Sequence, residues 1–174
     1  MLNLKSTFSR YSKKILIQLK KLQGTPYSIA AGFACGVAIS FTPFIGFHLL
    51  LAALTAWVIR GNIVSSAIGT LIGNPWTFPF IWIAVLSTGR FFLGLDNTDH
   101  VNFTQIFDLA WQALKTLEFR NFSKSVWPII FPMMIGSVPF YIASWIISYK
   151  IIKSAMDKLS LRKQKPTLLK DTAK

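Results

Sequence analysis

The chain is interrupted at Gly69-Thr70-Leu71-Ile72-Gly73-Asn74-Pro75-Trp76-Thr77-Phe78-Pro79, where two prolines fall inside a long apolar run. A proline disfavours the helical conformation of the residue before it, so Asn74 is expected to leave the helix. Each proline also lacks the N–H of a regular helix, which leaves the carbonyls of Leu71 and Pro75 without helical partners. Within lipid, such a break is tolerated where it is buried in protein or lines a wet cavity, which makes it a candidate functional site.

The interrupted run is one of three long segments without charged residues. They are residues 22–59, 61–89 and 125–149, of 38, 29 and 25 residues. About 20 apolar residues cross a bilayer, and soluble helices of this length carry a charged face. With 52% hydrophobic residues and a mean hydropathy of +0.47, the chain is predicted to be all-α, a multi-pass integral membrane helical bundle with proline-broken or re-entrant helices.

The net charge of +13 lies mostly at the two ends of the chain. Of the 19 basic residues, six precede the first apolar run and eight follow the last, whereas four of the six acids lie between Asp96 and Glu118. This is the positive-inside pattern, which places both termini in the cytoplasm. We therefore predict membrane lipids as partners, because basic juxtamembrane segments attract anionic lipid, and we do not predict nucleic acid.

Five segments follow from these patterns. They are a cytoplasmic amphipathic basic helix (1–24), a membrane core with a hairpin and a broken helix (25–95), an outer loop with an amphipathic helix (96–124), a final transmembrane helix (125–149) and a basic cytoplasmic tail (150–174).

The first part of the core is predicted to be a helical hairpin. Thr25-Pro26 and Thr42-Pro43 each pair an N-cap residue with a proline suited to the first helical position. The legs, residues 25–42 and 43–60, would each be about 26 Å long, so the hairpin either spans a thin membrane or re-enters it. After the turn Arg60-Gly61-Asn62, we expect a half-helix from Ile63 to Gly73 and a second helix from Pro75 that Asn74 caps. Gly32-xxx-Gly36 and Gly69-xxx-Gly73 are small faces that favour close helix packing.

The predicted helix starts at Pro43 and Pro75 suggest an anion site. Helix amino ends carry unpaired N–H groups and a partial positive charge, and they bind phosphate or carboxylate. The candidate binding residues are Thr42, His48, Asn74 and Thr77 in a polar cleft, with Arg60 and Arg90 at its opposite mouths. We expect this cleft to bind or move a lipid head group or a small anion. In the alternative interpretation Thr42 and Asn74 only cap helices, His48 bonds one helix to another, and the protein is a membrane scaffold or accessory subunit.

Catalytic and metal chemistry find little support in the sequence. The three neutral runs hold no carboxylate, which disfavours a proton-coupled antiporter, and they hold no Ser/His/Asp set. Cys35 is the sole cysteine, so a cysteine metal cluster is excluded. His100 lies among Asp96, Asp99 and Asn102, which we interpret as an exposed turn. We expect no enzyme activity, no cofactor and no metal.

Residues 24–95 resemble a bacterial family called domain of unknown function 2062. The resemblance is carried by Gly24-Thr25-Pro26, Phe41-Thr42-Pro43-Phe44-Ile45-Gly46-Phe47-His48, Arg60-Gly61-Asn62 and Asn74-Pro75-Trp76-Thr77. It implies a small protein of the bacterial inner membrane and gives Thr25, Pro26, Pro43, Gly46, Asn62 and Pro75 a structural role. The broken hairpins are also loosely similar to DedA-like lipid-scrambling proteins, but those resemble carriers with membrane-embedded carboxylates. The cargo, a homo-oligomer and a membrane-protein partner all stay open.

Overall fold

A computed structural model describes residues 14–19, 21–44, 46–74, 77–95 and 119–171, with side chains between 127 and 158 in the last range. The described residues form helices and no strand, which confirms the all-α prediction. A helical segment at residues 14–19 is followed by α1 (Pro26–Ile39), α2 (His48–Val58), α3 (Ile63–Gly69) and α4 (Phe78–Phe92). A 3-10 turn, Thr70–Ile72, follows α3, and a long helix α5 (Phe119–Asp171) ends the described chain.

Helix α1 lies at the centre of the fold. Every residue from Ile29 to Ile39 is buried, as expected for a helix that is apolar on all sides. Its amino end is capped as the sequence predicts, because the Thr25 hydroxyl accepts a hydrogen bond from the Ser28 N–H at 3.1 Å and Pro26 opens the helix. Helical residues 14–19 pack at this end, where Leu19 joins Ile29, Phe33, Val37, Ile152 and Met156 in one buried cluster.

The predicted hairpin legs are longer than the observed helices. Helix α1 has 14 residues and α2 has 11, about 21 and 17 Å at 1.5 Å per residue. Thr42-Pro43 does not start a helix: the Thr42 hydroxyl donates to the Ile39 carbonyl at 2.7 Å, and α2 begins at His48. The prediction was wrong because Gly46, at φ +85°, extends the turn between the two helices.

The break between α3 and α4 is present, but its second helix starts later than predicted. Thr77, not Asn74, occupies the position before α4. Asn74 instead bonds to Thr77 in both directions, with its Oδ1 accepting from the Thr77 N–H at 3.1 Å and its own N–H donating to the Thr77 hydroxyl at 3.0 Å. Pro75 lies outside the described residues.

The two glycine motifs pack against each other. A Cβ built on Gly36 would collide with the Ser66 carbonyl and would lie 2.8 Å from the Thr70 nitrogen. A Cβ on Gly73 would lie 2.7 Å from the Cβ of Ser40. The Ser65 hydroxyl adds a hydrogen bond between the helices, to the Ile29 carbonyl at 2.7 Å. Helices α1 and α3 therefore run side by side with their backbones in contact.

Helix α5 supports both halves of the molecule. Its carboxyl-terminal part packs along α1, where Tyr27 meets Tyr149 with ring centroids 6.1 Å apart. Its earlier part crosses α4, and a Cβ on Gly136 would lie 2.9 Å from the Gly89 Cα. Helices α1 and α4 thus occupy successive stretches of α5, and Phe41 stacks on Phe140 between them.

One stretch of α5 has the length and composition of a membrane-spanning helix. Trp127–Lys158 covers 32 residues, and 18 consecutive residues within it reach a mean hydropathy of 1.7, whereas the other apolar helices that the structure describes are no longer than 17 residues. The helix assignment runs unbroken through the three prolines of this stretch. This helix indicates association with a membrane.

Candidate functional site

The ends of α1 and of the 3-10 turn meet the starts of α2 and α4 at one place beside α5. Ser40, at the end of α1, contacts Gly73, which follows the 3-10 turn. A Cβ built on Gly73 would also lie 3.4 Å from the Phe78 ring. The Phe78 ring lies 5.3 Å from the His48 ring, centroid to centroid. We call Ser40, Phe41, His48, Gly73 and Phe78 the helix-end junction. Since Phe41 stacks on Phe140, the junction lies near the middle of the apolar stretch of α5.

The backbone at the junction is closed by local hydrogen bonds. The Ser40 hydroxyl donates to the Gly36 carbonyl at 3.1 Å, and the Thr42 hydroxyl donates to Ile39. The Thr77 hydroxyl donates to the Ile72 carbonyl at 2.7 Å. Ser and Thr hydroxyls commonly satisfy carbonyls at helix ends in this way. Thr42, and Asn74 with its Oδ1 accepting from the Thr77 N–H at 3.1 Å, thus both bond to backbone groups at helix ends.

Two ring nitrogens at the junction lack a partner within the part of the chain that the structure describes. His48 Nε2 and Trp82 Nε1 are both buried without a hydrogen bond. They flank one aromatic ring, because the Trp82 ring lies 5.7 Å from Phe78 on α4 and His48 contacts the same phenylalanine from α2. A buried polar atom without a partner costs about 1–3 kcal/mol, so such atoms mark places where a ligand would be stabilising.

The amino end of α2 adds a positive dipole to this place. His48 is the first residue of α2, and Phe47 before it provides no side-chain cap. A helix amino end carries about half a positive charge. Ala52, one turn after His48, is fully buried, so this face of α2 points into the bundle. An indole N–H donates only, so a ligand that satisfied Trp82 would present an acceptor oxygen.

The predicted site residues separate into two groups. Thr42 and His48 belong to the junction or adjoin it, and Asn74 and Thr77 form the turn that follows Gly73. Arg60 follows α2 at the end of the molecule where α1 begins, whereas Arg90 lies in the last turn of α4, beside the Gly89 crossing. The two arginines are thus at opposite ends of the molecule.

Trp82 is the residue that sequence reasoning missed. Its signal is its position, because a tryptophan eight residues from Arg90, within a neutral run, is too deep for a residue of the interfacial aromatic belt. The described residues contain no group of three His, Cys, Asp or Glu side chains able to share a metal ion. The cluster around His100 lies outside them.

A family model described as "Uncharacterized protein conserved in bacteria" (DUF2062) matches residues 9–165. The match covers 157 of the 174 residues and extends the resemblance of residues 24–95 in both directions. No curated protein and no solved structure matches the chain.

Proposed function

The chain belongs to this bacterial family, DUF2062, and on that premise we propose that it is a multi-pass inner-membrane protein that binds or moves a lipid head group or small anion. The binding place is the helix-end junction, with His48 and Trp82 as the ligand-contacting residues. The proposed role is one of binding or transport, without catalysis, and membrane lipids are the proposed partners.

The surface of the protein supports a membrane location. Large apolar side chains point outward from each of the five helices, as with Phe80 and Trp57, which are 76% and 67% exposed. The interior holds small and hydroxyl-bearing residues, namely Ser40, Ser65, Ser66, Thr70, Ser137 and the buried alanines of α1 and α2. Water would penalise so large an apolar surface, whereas lipid favours it, and small interior residues are typical of helix packing in membranes.

The stacking of short helices supports more than one crossing. Helix α1 spans about 21 Å and α4, with 15 residues, spans about 22 Å, each less than the roughly 30 Å of a hydrocarbon core. Because they lie on successive stretches of α5, together they exceed that thickness. The junction between them would then lie deep in the bilayer, where unsatisfied polar atoms are most costly.

The pair of unpartnered ring nitrogens carries the proposal for the ligand. A phosphate or carboxylate oxygen could accept from Trp82 Nε1 and, when His48 Nε2 is protonated, from that atom too. The amino end of α2 favours the same negative charge. An uncharged apolar ligand would leave both nitrogens unsatisfied, so the arrangement favours an anionic group.

A liposome experiment tests this function. The purified chain is reconstituted with fluorescent phospholipid, and the crossing of that lipid between leaflets is compared with empty liposomes. His48→Phe and Trp82→Phe keep an aromatic ring beside Phe78 and remove the nitrogens. Trp57→Phe, at an outward-facing tryptophan of α2, is the matched control. Asn74→Leu is a poorer probe, because it also removes the acceptor of the Thr77 N–H.

We expect the wild type to move fluorescent phospholipid between leaflets faster than the background of empty liposomes. His48→Phe and Trp82→Phe should each reduce this crossing at least tenfold, and Trp57→Phe should leave it unchanged. Equal crossing in all variants would refute the junction as the site. Crossing at background, with no binding of inorganic phosphate by calorimetry, would refute the function. Co-purification of one stoichiometric membrane protein would then favour the scaffold role.

A further inference from the structure

A separate cavity opens between α1, α2 and α5, away from the junction nitrogens. Its volume is about 290 Å³, and it is lined by Cys35 of α1, by Leu54, Thr55 and Val58 of α2, and by Tyr141 and Trp145 of α5. The Thr55 hydroxyl is already bonded to the Leu51 carbonyl at 2.8 Å. Leu54 and Val58 on its wall are 52% and 67% exposed, so the cavity is a groove continuous with the apolar outer surface.

One end of this groove leads to two basic residues. The Tyr27 hydroxyl donates to the Ile59 carbonyl at 3.2 Å, and the Tyr27 ring packs edge-on against Tyr149. Trp145, on the groove wall, stacks on the same Tyr149 with centroids 5.1 Å apart. These contacts bring the end of α2 beside Tyr149. Arg60 follows Ile59 in the sequence and Lys150 follows Tyr149, and both basic residues are exposed.

Arg60 adopts a backbone conformation in which arginine is uncommon. Arg60 has φ +56°, in the left-handed region that favours glycine. Lys153, one turn beyond Lys150, is paired with Asp157 at 2.7 Å, so its charge is locally balanced. The groove thus joins an apolar wall to a cationic end.

We propose that the groove holds one acyl chain of an anionic phospholipid, with the lipid phosphate at the end flanked by Arg60 and Lys150. This inference rests on the membrane location in the proposed function, but not on the junction. An apolar groove that faces lipid is filled by acyl chains, and basic residues near the membrane surface attract anionic head groups by about 1 kcal/mol each, or roughly fivefold in affinity. A protein partner would need a contact of about 1,000 Å² or more, formed by about 20–30 residues on each side, whereas seven of the described residues line this groove.

Native mass spectrometry of the full chain tests the proposal, with phosphatidylglycerol and phosphatidylcholine added in equal amounts to the delipidated protein. Arg60→Asn with Lys150→Gln removes both charges, and asparagine tolerates the left-handed conformation. Lys21→Gln with Lys158→Gln removes the same charge at exposed positions outside the groove. Leu54→Trp fills the groove, and Leu50→Trp, one turn earlier and 64% exposed, is its control.

The wild type is expected to retain phosphatidylglycerol in preference to phosphatidylcholine. The Arg60/Lys150 variant should lose at least fivefold of that preference, and Leu54→Trp should lose retention of both lipids. The controls should match the wild type. Equal loss in the Lys21/Lys158 control would reduce the effect to net charge and overturn the site, as would retention unchanged by Leu54→Trp.

Two further comparisons keep the result interpretable. If Leu54→Trp gives no monodisperse species, Val58→Trp at the groove rim replaces it, and the same outcomes apply. The second comparison, of the Arg60/Lys150 variant with the wild type, keeps His48 and Trp82 in both chains, so its outcome does not depend on the junction. Failure of the junction therefore shows in the liposome experiment, and failure of the groove shows here.

Discussion

Asn62 hydrogen-bonds the turn after α2 to residues at the start of α1. Its Oδ1 accepts from the Ser65 N–H at 2.8 Å and so caps α3, while its Nδ2 donates to the Gln23 carbonyl at 3.1 Å. Its backbone N–H donates to the Ser28 carbonyl at 2.8 Å. One asparagine therefore serves a helix cap and two contacts between segments that lie far apart in sequence.

Asn62→Ala is expected to lower the free energy of unfolding by about 2 kcal/mol, since it removes a cap and the hydrogen bond to the Gln23 carbonyl, of about 1 kcal/mol each. Asn62→Ser keeps a capping oxygen but is too short to reach Gln23, so we expect about half that loss. Titration with dodecyl sulfate in mixed micelles measures both values. Equal losses in the two variants would show that the cap contributes nothing.

The turn between the 3-10 segment and α4 is closed by hydrogen bonds of one hydroxyl, that of Thr77. Thr77→Ala removes the donor to Ile72 and the acceptor of the Asn74 N–H, and should lower the free energy of unfolding by about 1–2 kcal/mol. Thr77→Ser keeps both bonds and should stay within about 0.5 kcal/mol of the wild type. Thr88→Ala, within α4, is the control. A Thr77→Ser loss as large as that of Thr77→Ala would contradict this role for the hydroxyl.

Some helix boundaries could be predicted from the sequence and others could not. The cap at Thr25-Pro26 and the break near Asn74 depend on neighbouring residues, so local rules predicted them. The start of α2 at His48 did not follow from Thr42-Pro43, because that proline lies in a turn whose length Gly46 helps to set. Pairing of Gly36 with Ser66, and of His48 with Phe78, joins distant segments. Spacing within one segment contains no information on such pairings, and for that reason Trp82 was missed.

The charge pattern of the full chain predicts where each segment lies relative to the membrane. In a Cys35→Ala background, a cysteine at Thr172 in the tail should react with an impermeant maleimide after cell lysis alone. A cysteine at Thr98 in the central acidic segment should react in intact cells. Labelling of both positions in intact cells would contradict cytoplasmic termini, and labelling of neither would contradict an outer loop.

The contact of backbones at Gly36, Gly89 and Gly136 has a consequence for how the gene can vary. Each of the nineteen other amino acids carries a Cβ, so every missense change at these codons places an atom against a carbonyl or Cα of the neighbouring helix. No amino-acid substitution at these three glycines is therefore expected to be neutral. With the proposed membrane location, the large outward-facing residues can exchange among themselves, because lipid accepts any apolar shape. Related proteins should therefore drift fastest where side chains are largest and slowest where there is no side chain at all.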